Sequence, residues 1–92
     1  MTSMRINVEV FSSPGCSRCQ AAREELQTIV AQLGHDRVVW REINVVDELD
    51  YAVRLGVLST PAIAINGELR FRALPSAKKL RRVLEEILES SD

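Results

Sequence analysis

The sequence predicts an α/β chain with the element order β-α-β-α-β-β-α, and three observations carry that prediction. Alternating apolar and polar residues open the chain, a helix-period apolar stripe follows at once, and a β-branched run comes after it. Further on, Asn66-Gly67 separates two short strand-like runs, the strongest two-residue hairpin signal available. A strand-helix-strand crossover makes a parallel pair and a hairpin an antiparallel one, so the strands run in mixed directions.

In the first strand Ile6, Val8 and Val10 alternate with Arg5, Asn7 and Glu9, a period of two with one face buried, and the run ends in Phe11 before Ser12-Ser13-Pro14-Gly15 breaks it. From Ser17 to Leu33 the residues Ala22, Leu26, Ile29, Val30 and Leu33 recur at spacings of three and four, giving an amphipathic helix that Gly34 stops. Val38 to Val45 is β-branched and aromatic and makes the second strand. Asp47 is expected to cap a short helix carrying Leu49, Val53 and Leu55, with Gly56 closing it. Ala62 to Ile65 is the third strand, and Leu69 and Phe71 alternate with Arg70 and Arg72 in the fourth. Pro75-Ser76 opens a last helix whose Leu80, Val83, Leu84, Ile87 and Leu88 form one stripe, and Ser90-Ser91-Asp92 is expected to fray.

With 92 residues, 46% of them hydrophobic, the chain has room for one small domain over residues 1–92 and no second unit. Twelve basic against thirteen acidic side chains give a net charge of -1, which exerts no general pull toward nucleic acid or an anionic membrane. No apolar stretch approaches the ~20 residues that cross a bilayer. Met1-Thr2-Ser3-Met4-Arg5 runs directly into the first strand instead of a signal-peptide core. The expected compartment is the cytoplasm, the expected state a monomer, and no cofactor is required.

The two cysteines, Cys16 and Cys19, lie too close for their bridge to constrain much of the unfolded chain, so chemistry explains them better than stability does. At the start of a helix, residues i and i+3 share a face with Cβ atoms about 5 to 6 Å apart, close enough for a disulfide after a modest adjustment. Unpaired backbone N–H groups and the positive end of the dipole face the first sulfur and favour thiolate over thiol. Arg18 adds a fixed positive charge, and no acidic residue lies between Phe11 and Gln20. Cys16 is therefore the expected attacking thiolate, and Cys19, one turn deeper, the resolving thiol. Thr60-Pro61 stands where a third strand begins and is a candidate cis bond. The backbone before Pro61 is expected to lie unpaired beside the cysteines, able to bind an extended peptide.

These features together resemble the thioredoxin superfamily in its short form. The resemblance covers nearly the whole chain and rests on Val8-Glu9-Val10-Phe11 leading to Cys16-Ser17-Arg18-Cys19, on Gly56-Val57-Leu58-Ser59-Thr60-Pro61, and on Ile65-Asn66-Gly67-Glu68 with the final helix. It implies the thioredoxin fold, a four-stranded mixed sheet flanked by three helices, with a cis-proline at Pro61 and a redox-active dithiol at Cys16 and Cys19. Arg18, Thr60 and Pro61 are the expected substrate-binding residues. Glutaredoxins follow the fourth strand with a Gly-Gly turn and an acidic residue that hold glutathione; Ala73-Leu74-Pro75-Ser76 stands here instead, which favours the thioredoxin-like form. The chain departs from thioredoxins in having Gly15 before the first cysteine, Ser17-Arg18 within the motif, and Val10 where the buried acid falls. Glu9 is expected to face away.

The function so indicated is thiol–disulfide exchange on protein disulfides, with a reductase or glutathione as electron donor. The alternatives are a glutaredoxin and a dithiol module that carries a soft metal such as Cu(I). A pair of inert buried thiols and half of a zinc site are the plainer readings; a structural zinc site asks for four ligands, and the lone His35 stands at the far end of the helix. The basic run of the last helix reads as a solvated face, with Arg72, Lys78 and Arg81 as candidates to recruit an acidic partner.

Overall fold

The computed structural model describes residues 5–90. The opening Met1-Thr2-Ser3-Met4 and the closing Ser91-Asp92 lie outside the described residues, whereas Ser90, grouped with the fraying end, is the last residue of a helix. The elements are β1 (Ile6–Ser12), α1 (Ser17–Leu33), β2 (Val38–Asn44), α2 (Leu49–Leu55), β3 (Ala62–Ile65), β4 (Glu68–Phe71) and α3 (Ala77–Ser90). They form one four-stranded sheet of order β2-β1-β3-β4, with β1 parallel to β2 and antiparallel to β3. Among the described residues no helix is long and apolar enough to cross a membrane.

The period of two in β1 sorts its side chains onto the two faces of the sheet. Val8 and Val10, with Ile63 and Ile65 of β3, face Ala22, Leu26, Ile29 and Val30 of α1 and the Leu80, Leu84 and Leu88 stripe of α3. Phe11 turns to the opposite face, where it joins Ile43, Ala62 and Ala64 under Ala52 of α2. The first layer is the larger because two helices cover it and one short helix covers the other.

Glu9 lies on the α2 side, as its parity requires, and is only 8% exposed. Its carboxylate accepts two hydrogen bonds from the Arg41 guanidinium, at 3.1 and 2.7 Å, and one from the Tyr51 hydroxyl at 2.5 Å. Each of these partners donates to the carboxylate, which offsets the cost of taking it out of water.

The punctuation follows backbone chemistry. Asn66 and Gly67 both take positive φ (53° and 84°), as the favoured two-residue hairpin turn demands, and Asn66 also binds the Asn7 backbone through both its N–H and its side-chain oxygen. Gly56 closes α2 in the left-handed region. Ser76 starts α3, its hydroxyl accepting the Lys79 N–H at 3.1 Å. Asp47 is not the cap of α2. Asn44 organises that turn, its side-chain oxygen accepting the Val46 N–H at 2.8 Å and its carbonyl the Glu48 N–H at 3.0 Å. Glu48 takes the cap position without a side-chain bond. Of the apolar residues that α2 carries, Leu49 and Val53 stand exposed.

Replacing Leu26 by Ala in the α1 layer is expected to cost about 2–5 kcal/mol, from lost transfer energy and a cavity between helix and sheet. Replacing the exposed Leu58 by Ala should change stability by no more than about 0.5 kcal/mol. Urea denaturation midpoints of the two variants check both values.

Candidate active site

The central strand ends at Ser12, and the turn over Ser13, Pro14 and Gly15 delivers the chain to α1. Cys16 occupies the cap position of that helix with extended backbone angles, its N–H bonded to the Ser13 carbonyl at 3.2 Å. Its sulfur accepts the backbone N–H of Cys19 at 3.2 Å, the bond that a serine or aspartate oxygen makes at other helix starts. Cys16 is half-buried and Cys19 is fully buried behind it. The pair is joined as a disulfide with Cα atoms 5.4 Å apart, and among the described residues no cysteine is free. The first turn of α1 carries no acidic residue, so nothing there offsets the dipole at the sulfur.

The loop after α2 comes to the same place. Thr60-Pro61 is cis, and Pro61 is buried where β3 begins next to β1. The Thr60 and Ser13 hydroxyls lie 2.7 Å apart and share a hydrogen bond, fastening the proline loop to the cysteine loop. Neither the N–H nor the carbonyl of Thr60 engages another backbone group among the described residues. Arg18 is exposed in the first turn of α1, and its side chain makes no hydrogen bond or ion pair among the described residues. Cys16, Thr60 and Pro61 thus gather at one end of the sheet, with Arg18 on the outer side of the helix.

Sequence reasoning overlooked Ser13, whose hydroxyl is the link between the two loops. It also overlooked a polar cluster beside Val10. In the parallel register Val10 stands opposite Glu42 of β2, and Ser12, next on the same face, donates its hydroxyl to the Glu42 carboxylate at 2.7 Å. Arg23, one helical turn beyond Cys19, donates to the same oxygen at 2.6 Å. The Ser12 bond first, and Arg23 after it, hold the Glu42 carboxyl below its ordinary range against the opposing pull of partial burial. Carrying the alternation of β1 one residue further would have placed Ser12 on this face.

The fourth strand ends at Phe71, so Arg72 lies just beyond it, not within it as the alternation suggested, and it stands at the proline loop with its carbonyl accepting the Ser59 hydroxyl at 3.3 Å. Arg81 instead donates to the Gln32 side chain, near the end of α1 remote from the cysteines. Among the described residues no group of three or more His, Cys, Asp or Glu side chains converges in a way that could hold a metal ion.

A cysteine pair at a helix start, set at the end of the central strand beside a cis-proline, defines a thiol–disulfide oxidoreductase of the thioredoxin fold. The chain belongs to the thioredoxin domain family, whose model matches residues 4–85. It is 34% identical over 86 residues to a probable thioredoxin of Methanothermobacter thermautotrophicus, covering 94% of this chain and 100% of that one. An NADPH-dependent thioredoxin reductase 3 of Arabidopsis thaliana contains a stretch 24% identical over 89 residues, which is 97% of this chain and 17% of the reductase. Among solved structures, thioredoxin 1 of the thermophilic eubacterium Thermosipho africanus is similar with a TM-score of 0.76 at 25% identity, over 92% of this chain and 97% of that one.

The Glu42 shift has a definite sign. A carboxyl whose folded pKa is lowered adds stability above its unfolded pKa and loses that stability as pH falls through the folded value. Glu42→Gln should therefore be less stable than the native chain at neutral pH, with the difference shrinking steadily toward pH 3. Denaturation midpoints across that range check it, and a difference that grows on acidification contradicts it.

Proposed function

We propose that the chain reduces protein disulfides by two-step exchange, with Cys16 as nucleophile and Cys19 as resolving thiol. The observation that carries the assignment is the unequal setting of the two sulfurs: Cys16 is half-exposed at the helix cap, where it receives an N–H, and Cys19 is buried behind it. In the reduced protein the Cys16 thiolate attacks one sulfur of the target, the target S–S bond breaks, and its second sulfur leaves and takes up a proton. Cys19 then gives up its proton to solvent and attacks the Cys16 sulfur, releasing the first target sulfur. The target gains two electrons, and the Cys16–Cys19 bridge holds the oxidised equivalent.

The unengaged Thr60 backbone supports substrate binding in extended form, since its N–H and carbonyl are open to a neighbouring peptide. Pro61 forms the floor of that position and Arg18 its charged outer edge. For the electron donor we favour a thioredoxin reductase over glutathione. Support comes from the plant reductase that carries a stretch similar to this chain, and from Ala73-Leu74-Pro75-Ser76 in place of a glutathione-holding acid. A cysteine pair that forms and breaks in turnover suits the cytoplasm, where lasting structural bridges are rare.

Cys16→Ser is expected to abolish turnover of a model protein disulfide, and Cys19→Ser to stop after one covalent adduct per chain, visible by mass spectrometry. Equal residual turnover in both variants would overturn the division of roles. With the native chain, a thioredoxin reductase plus NADPH should sustain turnover at least tenfold faster than glutathione plus glutathione reductase, measured as NADPH consumption.

A further inference from the structure

Among the described residues the large apolar side chains that stand exposed are Val46 (64%), Leu49 (58%), Val53 (64%) and Leu58 (89%), and all four fall on α2 or its flanks. Leu49 and Val53, four apart, project from one side of the helix, while Ala52 is buried. Single exposed apolar residues need no explanation, but a run of them on one short element marks a contact surface.

Two depressions give this surface a direction. One, of about 270 Å³, has Leu49, Val57 and Leu58 on its apolar side and Ser13, Ser59 and Thr60 on its polar side. Ser13 is the residue whose carbonyl holds the Cys16 N–H, so this groove opens beside the turn that carries Cys16. The other, of about 360 Å³, is lined by Val46, Asp47, Glu48, Leu49, Asp50 and Arg54 among others. The two depressions share Leu49.

The second depression is acidic on balance, with Asp47, Glu48 and Asp50 set against Arg54 in its lining. Asp47, Glu48 and Asp50 are exposed and form no ion pair among the described residues. The charged groups facing them are Arg54, which lies 6.0 Å over the Tyr51 ring, and Arg41, which is bonded to Glu9. Moving away from Cys16, the surface is thus first apolar and then anionic.

We propose that this face of α2 selects protein substrates in which the disulfide is accompanied by an apolar side chain and, beyond it, by Lys or Arg. The apolar residue lies in the Leu49–Leu58 groove and the cation enters the Asp47–Glu48–Asp50 cup while the target sulfur is presented to Cys16. The inference rests on the reading of Cys16 as the attacking thiol and adds the class of protein that reaches it. A negatively charged cup acts on encounter rate and orientation more than on bound-state affinity, so its effect is greatest at low salt.

The test compares two synthetic peptides of equal length, each with the same disulfide and the same leucine, one continuing in two lysines and the other in two glutamates. The reduced chain should reduce the lysine peptide about tenfold faster at low ionic strength, the two rates converging as salt is raised. In the triple variant D47N/E48Q/D50N the ratio of the two rates should fall to about one, and circular dichroism should show the native helix content. Equal rates in the native chain, or a preference that survives in the triple variant, overturn the proposal. A small aromatic disulfide separates the two levels of argument: its reduction by a chain that treats both peptides alike leaves the dithiol reading standing, whereas no reduction of any of the three disulfides removes both.

Discussion

The sulfur of Cys16 has two occupations at once. It caps α1, receiving the Cys19 N–H at 3.2 Å, and it belongs to the more exposed of the two cysteines. A capping oxygen from serine or aspartate would satisfy the same donor and do no redox chemistry. The helix start can orient this sulfur only if the helix itself is held in place. Ala22, Leu26, Ile29 and Val30 secure it against the sheet, and the central position of β1 fixes the point from which the turn to Cys16 departs. The site is therefore as rigid as the layer between β1 and α1.

The two faces of the sheet have divided labour. The α1 and α3 face is a dense apolar layer, with the polar cluster of Ser12, Glu42 and Arg23 at the edge beside the cysteine helix. The α2 face is thinner, holds the charged Glu9 inside it, and leaves much of its covering helix in contact with solvent. The proline loop follows α2, and the hydrogen bond between Ser13 and Thr60 fastens it to the cysteine loop. A partner approaching Cys16 from the α2 side consequently meets loop and helix surface with little buried behind it, where small adjustments cost least.

Most of the fold was legible in the sequence because its signals are local. The alternation in β1, the stripe of α1, the glycines at 34 and 56 and the Asn66-Gly67 turn each depend on a few adjacent residues, and each lies where local chemistry puts it. The cysteine spacing and Thr60-Pro61 are local in the same way, one found as a disulfide and the other as a cis bond. What escaped notice depends on partners far apart in the chain: Ser13 with Thr60 across 47 positions, and Ser12 with Glu42 across 30, a contact set by the pairing of β1 with β2. The seven residues of α2 span too few turns to show from sequence which of its apolar residues face inward, and Leu49 and Val53 stand exposed. Asp47 read as a cap because that signal ignores competition, and Asn44 had already organised the turn.

The burial of Glu9 bears on how the sheet is assembled. If β1 were to slip by one residue against its neighbours, every side chain on it would change faces, and this carboxylate would enter the aliphatic layer beneath α1. Arg41 and Tyr51 would remain on the other side, out of reach. An unpartnered ion in that layer costs several kcal/mol, comparable to a large part of the stability of so small a protein. The trio of Glu9, Arg41 and Tyr51 thus behaves as a key cut for a single alignment, contributing less to the depth of the native state than to the exclusion of its misaligned neighbours.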